Sequence, residues 1–359
     1  MAQPTSDIPK GSLVLVTGAN GFVGAHICKR FLEFGYRVRG TVRDIERCRW
    51  LLDDVFQPYA AKGFFELVTV EDLALPGAFD DAIARPDAQG NRVAVVVHVA
   101  IINSYSPDPN QVLPPTLAGI NGILEAALRA PAVRSFVYTS SIVTSVMHPY
   151  HGKKVHVERD TWNEEALRLA WAPPPYEMDR FPATYSASKV VAEQAVWKFK
   201  AERQPHFRVN AVCPSAIFGE PLHKSHAETA NARIAQLYRG DTSLLHHMPA
   251  FISVNMRDVA LLHVAAALDP TVDNARIQAW AQPFNWNDIL AILRKLYPNR
   301  TFVDDLPGLP DKSEVQLTTD VSEALALLKK WGGQDGWISL EETVADSVRP
   351  LDKWYESKE

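Results

Sequence analysis

Residues 13–24, Leu-Val-Leu-Val-Thr-Gly-Ala-Asn-Gly-Phe-Val-Gly, constrain this chain more than any other stretch, because an apolar run stops abruptly at three glycines spaced three apart. Leu13, Val14, Leu15 and Val16 are apolar throughout and partly β-branched, as suits a parallel strand buried on both faces, and residues 22–34 follow with helical periodicity. The order is strand, glycine turn, helix. Gly18 takes the tight turn, Gly21 lets backbone N–H groups approach a pyrophosphate, and Gly24 lets the helix lie close on the strand. Phe22 and Val23 open the helix and belong with the same contacts, since a helix N-terminus offers donors and partial positive charge to phosphate. Glycines also collect in plain turns. The position after a strand, before a helix and near the start of the chain favours a nucleotide.

The chain has 359 residues, 47% of them hydrophobic and 22% charged, enough for one large α/β domain with a smaller lobe. Its net charge of −5 argues against holding nucleic acid or an acidic membrane by bulk electrostatics. Cys28, Cys48 and Cys213 are widely spaced and odd in number, so neither a disulfide framework nor a zinc site is indicated, and no metal is expected. The first ten residues are polar, with two prolines, and no stretch approaches the roughly 18 apolar residues of a membrane span. A cytoplasmic protein with a flexible N-terminus over residues 1–11 is expected.

Residues 36–42 alternate apolar and basic side chains and predict a second strand, ending in Thr41-Val42-Arg43-Asp44. An acidic residue at such a strand end accepts from the ribose 2′-hydroxyl of NAD, whereas an arginine accommodates the 2′-phosphate of NADP. Arg43 comes first here, and Arg47 at i+4 would share its face and grip a phosphate. A solvated basic face is the alternative, and Asp44 keeps NAD open. Residues 64–70 predict a third strand, and Asp72 and Leu73 after it form either an adenine pocket or a simple turn. A fourth strand covers 93–100, within which His98 reads as a core histidine. The proline-rich stretch 107–115 reads as a loop before a helix over 116–129, and 135–139 as a fifth strand ending at Ser140-Ser141. This alternation predicts a Rossmann-type α/β fold with a doubly wound parallel sheet, whose ligands lie beyond the carboxyl ends of the strands.

Residues 144–184 carry Trp162, Trp171 and Pro173-Pro174-Pro175 and read as an irregular loop covering a site. The loop ends at Tyr185-Ser-Ala-Ser-Lys189, followed by helical periodicity over 190–199. Tyrosine and lysine at i and i+4 lie on one helix face. A free phenol titrates near pH ~10, and a neighbouring ammonium and an oxidised nicotinamide both favour its anion, lowering it toward the working range of proton transfer.

Taken together, Gly18-x-x-Gly21-x-x-Gly24, Thr139-Ser140-Ser141 and Tyr185-x-x-x-Lys189 resemble the extended short-chain dehydrogenase/reductase superfamily over nearly the whole chain. Residues 40–44, Trp162-Asn163, Tyr185-Ser-Ala-Ser-Lys189 and Arg257-Asp258-Val259-Ala260 look like its dihydroflavonol-reductase-like branch, with the fungal aldehyde, carbonyl and methylglyoxal reductases. That resemblance implies reduction of aldehydes and ketones with NADPH. It implies Ser141 as the residue holding the substrate carbonyl oxygen, Tyr185 as proton donor, and Lys189 as the ribose-binding residue that lowers the tyrosine pKa. The implied cofactor contacts are Gly18, Gly21, Phe22, Val23, Gly24, Arg43, Arg47, Asp72, Leu73, Ala100, Thr139, Tyr185, Lys189 and Pro214. Two departures touch these contacts: Ile101 stands where relatives often carry a small hydroxyl residue, and Cys213-Pro214-Ser215 replaces a commoner Asn-Pro.

The expected division is a dinucleotide-binding domain over 12–212 and a mainly substrate-binding lobe over 213–359, with about 275–281 returning to the sheet. Helices are expected near 230–238, 286–296 and 321–331, and Arg257-Asp258 reads as a structural ion pair. His223, His226, His246 and His247 are too unevenly spaced for a metal site. Ile102, Tyr105, Ile142, Ala216, Ile217 and Phe218 are the pocket candidates, and their apolar character points to a hydrophobic carbonyl substrate; the resemblance to fungal reductases implies a role compatible with secondary metabolism. The alternatives are an NAD-dependent sugar-nucleotide epimerase or dehydratase, and a non-catalytic NADP-sensing protein. Either a monomer or a homodimer fits.

Overall fold

The apolar runs and glycine punctuation do produce alternating strands and helices, and a computed structural model describes them over residues 5–102, 106–147, 154–229, 231–243, 245 and 250–355. In chain order these are β1 (Leu13–Thr17), α1 (Phe22–Glu33), β2 (Arg37–Val42), α2 (Gln57–Ala60), β3 (Phe65–Thr69), α3 (Asp80–Ala84), β4 (Val93–His98), α4 (Pro109–Leu128) and β5 (Ser135–Thr139). There follow β6 (Val155–Val157), α5 (Glu164–Ala170), α6 (Phe181–Arg203), β7 (Arg208–Pro214), β8 (Ala216–Phe218), β9 (Phe251–Asn255), β10 (Arg276–Ala279), β11 (Gln282–Phe284) and β12 (Leu317–Thr319). The chain divides into two compact units, one of Met1–His148, Arg159–Cys213 and Ala260–Ile277, the other of Pro149–Glu158, Pro214–Val259 and Gln278–Glu359.

A sheet in the order β10-β7-β5-β4-β1-β2-β3 forms the centre of the first unit. β1 pairs in parallel with both β2 and β4, and the pairings of β2 with β3, β4 with β5 and β5 with β7 are parallel too. The chain winds outward from β1 to β3, then crosses back to β4 on the other side of β1. The strand order therefore reverses between β1 and β4, and a crevice opens there beyond their carboxyl ends. Leu13, Leu15, Val96 and Phe136 of the strands pack with Ile123 and Leu124 of α4 and Val196 of α6 in one buried core.

Expectations for three segments of the first unit and its flanks need correction. Residues 107–115 are not a loop up to Thr116: α4 starts at Pro109, where Asp108 caps it by accepting from the Asn110 N–H at 2.9 Å. Proline is at home in a first helical turn, and the helix continues through Pro114 and Pro115 because its other face packs into the core. Residues 144–184 are also more ordered than a loop, containing β6, α5 and the start of α6. Asn163 organises part of this stretch, its side chain accepting from the Ala166 N–H at 3.0 Å and donating to the Val143 carbonyl at 2.8 Å. Finally, the N-terminus is tied down from Asp7 on. Its carboxylate accepts from Arg208 at 2.8 and 3.0 Å and from Arg134 at 2.9 Å, and Ile8 is only 1% exposed.

In the second unit β9 pairs antiparallel with β11 and parallel with β8, and β12 pairs with β6. Phe218, Phe284, Trp286 and Leu290 build its core. The helix Trp286–Leu296 lies where its periodicity places it and starts with a capping box between Asn285 and Asp288. Arg257 and Asp258 do not pair with each other. Arg257 reaches Asp346 at 2.8 Å, while Asp258 accepts from the Gln334 amide at 2.7 Å and the Ile338 N–H at 2.9 Å, because adjacent residues on a helix point apart. Among the described residues no helix is long and apolar enough to cross a membrane, and no group of three or more side chains is arranged to hold a metal. His246 and His247 lie outside the described residues.

Candidate active site

The switch point between β1 and β4 is built around the glycine turn. Gly18 sits at φ +65°, the left-handed region, and a Cβ on Gly24 would lie 2.2 Å from the Gly18 carbonyl oxygen. Gly24 therefore admits the turn itself against α1, a closer reason than helix-on-strand packing. α1 starts at Phe22 with Gly21 as its N-cap, without a side-chain cap and with no acidic residue in its first turn, while Val23 follows. The first turn of α1 thus carries no carboxylate of its own against the partial positive charge of the helix end.

Across the crevice Thr17 makes a three-way junction. Its hydroxyl oxygen accepts from the Val99 N–H at 2.9 Å and the Ala100 N–H at 3.0 Å, and lies 3.0 Å from His98 Nδ1. With both acceptor positions used, the single O–H of Thr17 donates to Nδ1, which leaves the His98 proton on Nε2. Burial, reinforced by the nearby Lys189 charge, brings the His98 pKa down to about 3, so the ring is neutral. His98 is a core histidine as expected, and it also lines a pocket of about 30 Å3 with Leu73, Ala100, Ile102, Tyr138, Tyr185 and Lys189. Tyr138 was missed in the sequence because a tyrosine inside an apolar strand carries no local signal.

Tyr185, Lys189 and Glu193 stand four residues apart on α6, one stripe of a helix whose first turn begins before the expected boundary. Lys189 donates to the Thr139 carbonyl at 2.7 Å and lies 4.8 Å from the centre of the Tyr138 ring. Its pKa is brought down to about 8 by burial, against the opposing pull of Glu193. The Tyr185 phenol is raised, not lowered: burial disfavours its anion, and no charge offsets that. The Lys189 ammonium is turned to the Thr139 carbonyl and the Tyr138 ring, and burial alone sets the direction at Tyr185. Ser141 follows directly at the end of β5 and opens the turn Ile142–Thr144, its hydroxyl accepting from the Val143 N–H at 3.4 Å. It does not line the same pocket.

The remaining candidates are spread more widely. Arg43 is exposed at the end of β2 and makes no hydrogen bond or ion pair among the described residues. Arg47 does not stack beside it on a helix: the chain turns into a short 3₁₀ segment, and Arg47 pairs with Asp44 at 3.3 Å. Asp44 also accepts from the Arg47 N–H at 3.2 Å. Asp72 is a turn residue, accepting from the Ala74 N–H at 2.8 Å, while Leu73 reaches the pocket. Ile142 is buried beside Ser141. Pro214 ends β7. In the second unit, Ala216 and Ile217 are half-buried on β8, but Phe218 is only 6% exposed and is locked edge-on against Phe284 and Trp286, so it is core and not pocket lining. Tyr105 lies outside the described residues. The departure at Ile101 adds an apolar side chain, 43% exposed, to the pocket rim.

Residues 15–284 match the 3-beta hydroxysteroid dehydrogenase/isomerase family. The chain belongs to that family. It is an oxidoreductase of the short-chain dehydrogenase/reductase fold, acting between carbonyl and hydroxyl groups. It is 35% identical to aldehyde reductase 2 of Sporidiobolus salmonicolor over 95% of this chain and 96% of that protein. It is 36% identical to the NAD-dependent epimerase/dehydratase terH of Aspergillus terreus, over 96% and 98% of the two chains. The crystal structure of Gre2 in complex with NADPH from Candida albicans superposes with a TM-score of 0.80 at 24% identity, covering 96% of this chain and 99% of that one.

Proposed function

We propose that this protein is an NADPH-dependent reductase of hydrophobic aldehydes or ketones. The observation that carries the reading is the α6 stripe: Tyr185 and Lys189 share one pocket at the switch point, and Lys189 binds the strand end that leads into Ser141. The cradle fits a dinucleotide, with a left-handed Gly18, no room for a side chain at Gly24, no acidic residue in the first turn of α1 and an Arg43 that makes no ion pair among the described residues. Arg43 would take the 2′-phosphate, Leu73 and Ala100 would border the adenosine half, and Lys189 would hold the ribose beside Tyr185. Bound there, NADPH supplies the hydride.

Ser141 holds the substrate carbonyl oxygen by donating its hydroxyl hydrogen, and Tyr185 gives that oxygen a proton as negative charge develops on it. Burial keeps the Tyr185 phenol protonated at neutral pH, which suits a proton donor and hence reduction over oxidation. Ile101 and Ile102 border the pocket with apolar surface, in keeping with a hydrophobic substrate. NAD-linked epimerisation is less well served, because Asp44 is occupied by Arg47 and by its backbone N–H.

The test is oxidation of NADPH and of NADH with isovaleraldehyde and a panel of hydrophobic ketones, beside Tyr185→Phe. Turnover with NADPH that falls about 10²- to 10⁴-fold in Tyr185→Phe is the expected outcome. NAD that copurifies and never exchanges would turn the reading to the epimerase, and NADPH binding without turnover to a sensor.

A further inference from the structure

Behind the pocket lies a buried ion pair that the proton-transfer scheme does not use. Glu193 of α6 is 0% exposed and Arg276 of β10 is 6% exposed, with Arg276 Nε 2.7 Å from Glu193 Oε1. The Glu193 carboxylate also accepts from the Trp197 indole N–H at 3.0 Å and from the Ser140 hydroxyl at 2.5 Å. Arg276 donates to the carbonyl oxygens of Arg159 and Thr161 at 2.8 and 2.9 Å and to the Thr144 hydroxyl at 3.0 Å, while its guanidinium covers the Trp162 ring at 4.2 Å. Burying two charges is costly, and a pair of this kind adds little to stability over an apolar replacement. What it does here is local. α6 grips the end of β5 twice in succession, through Lys189 at the Thr139 carbonyl and through Glu193 at Ser140, the residue before Ser141.

We infer that Glu193, clamped by Arg276, is a positioning residue of this site: through Ser140 it sets the strand end that carries Ser141, and one helical turn along the same stripe it presents its carboxylate on the Lys189 side of α6. The inference rests on the reading of Ser141, Tyr185 and Lys189 given above. The titratable groups facing Lys189 come from every element around it: Tyr185 and Glu193 from α6, Tyr138 from β5, His98 from β4, Cys213 from β7 and, through Glu193, Arg276 from β10. His98 is neutral above about 3, the buried Cys213 thiol is pushed up to about 12, and both phenols are raised by burial. Of these groups Glu193 is the one whose carboxylate shares the α6 stripe with Lys189 and opposes the effect of its burial, and Arg276 is paired with it from behind.

The experiment is the pH profile of kcat for NADPH-dependent isovaleraldehyde reduction in wild type, Glu193→Gln, Arg276→Gln, Ser140→Ala and Tyr185→Phe, with thermal unfolding of each. In Glu193→Gln the alkaline limb moves down by about one pH unit, since an opposite charge at close range is lost and Arg276 is left unopposed. In Arg276→Gln it moves up. Opposite displacements are beyond a merely structural defect. Ser140→Ala keeps the charge and removes only the clamp, so kcat falls with the limb and the aldehyde KM unmoved; this variant decides the matter if the buried-charge variants do not fold. A folded Glu193→Gln with the wild-type limb, displacements of the same sign, or a Ser140→Ala with wild-type kcat overturns the inference. Turnover retained in Tyr185→Phe instead overturns the site reading, whatever Glu193→Gln does.

Discussion

Thr17 illustrates how much one hydroxyl settles at this site. It ends β1, is fully buried, and satisfies two backbone donors of the segment after β4 while fixing the tautomer of His98. Thr17→Val keeps the shape and removes every one of these bonds. The Val99 and Ala100 N–H groups and His98 Nδ1 then lose their partner, at a cost of about 1–3 kcal/mol. A lower urea midpoint with an unchanged slope checks this; an unchanged midpoint would mean that water replaces the hydroxyl. Residues that act through local geometry, such as Gly18, were legible in the sequence. Thr17 was not, since its partners lie at the far end of a neighbouring strand.

Among the elements, β1, β2, β3, β5 and α1 follow their periodicity to within a residue or so, because buried parallel strands and an amphipathic helix announce themselves in hydrophobic pattern, whereas β4 stops two residues early and the short strands β6, β8, β9, β11 and β12 carry no such pattern. α4 and α5 do not. α4 runs on through two interior prolines, which local rules read as a stop, and is held by packing against the sheet. α5 depends on Asn163, which caps it and ties it to the turn after Ser141. Asn163→Ala should cost about 1 kcal/mol through the cap. Asn163→Ser, which caps but cannot reach Val143, should fall between it and wild type in urea unfolding. Equal stability of the alanine variant and wild type would show that the cap is redundant.

For the whole molecule the neutral His98 has a consequence in acid. Its folded pKa is lowered to about 3 from an unfolded value near ~6.5, so below that value the unfolded chain binds a proton that the native protein refuses. The stabilisation is complete above pH ~6.5 and declines as pH falls, by about 2 kcal/mol at pH ~5. Urea midpoints at the two ends of this range should show the loss, and His98→Asn should flatten it. An equally steep decline in His98→Asn would place the effect elsewhere. Asp7 acts later in the same direction. Its bonds from Arg208 hold its carboxyl below the usual range, so that contribution persists until the carboxylate itself protonates.

By itself the sequence determined the alternating architecture, the glycine turn and the tyrosine–lysine stripe, because each rests on spacing between neighbours along the chain. It also contained the pattern that places the chain in its reductase-like family. Only the tertiary structure decided that Asp44 is taken up by Arg47, that Phe218 is core, that the Tyr185 phenol is raised, and that Glu193 and Arg276 close a buried pair behind the pocket. Burial and pairing between distant segments set these properties, and neither can be read from a residue and its neighbours in the chain.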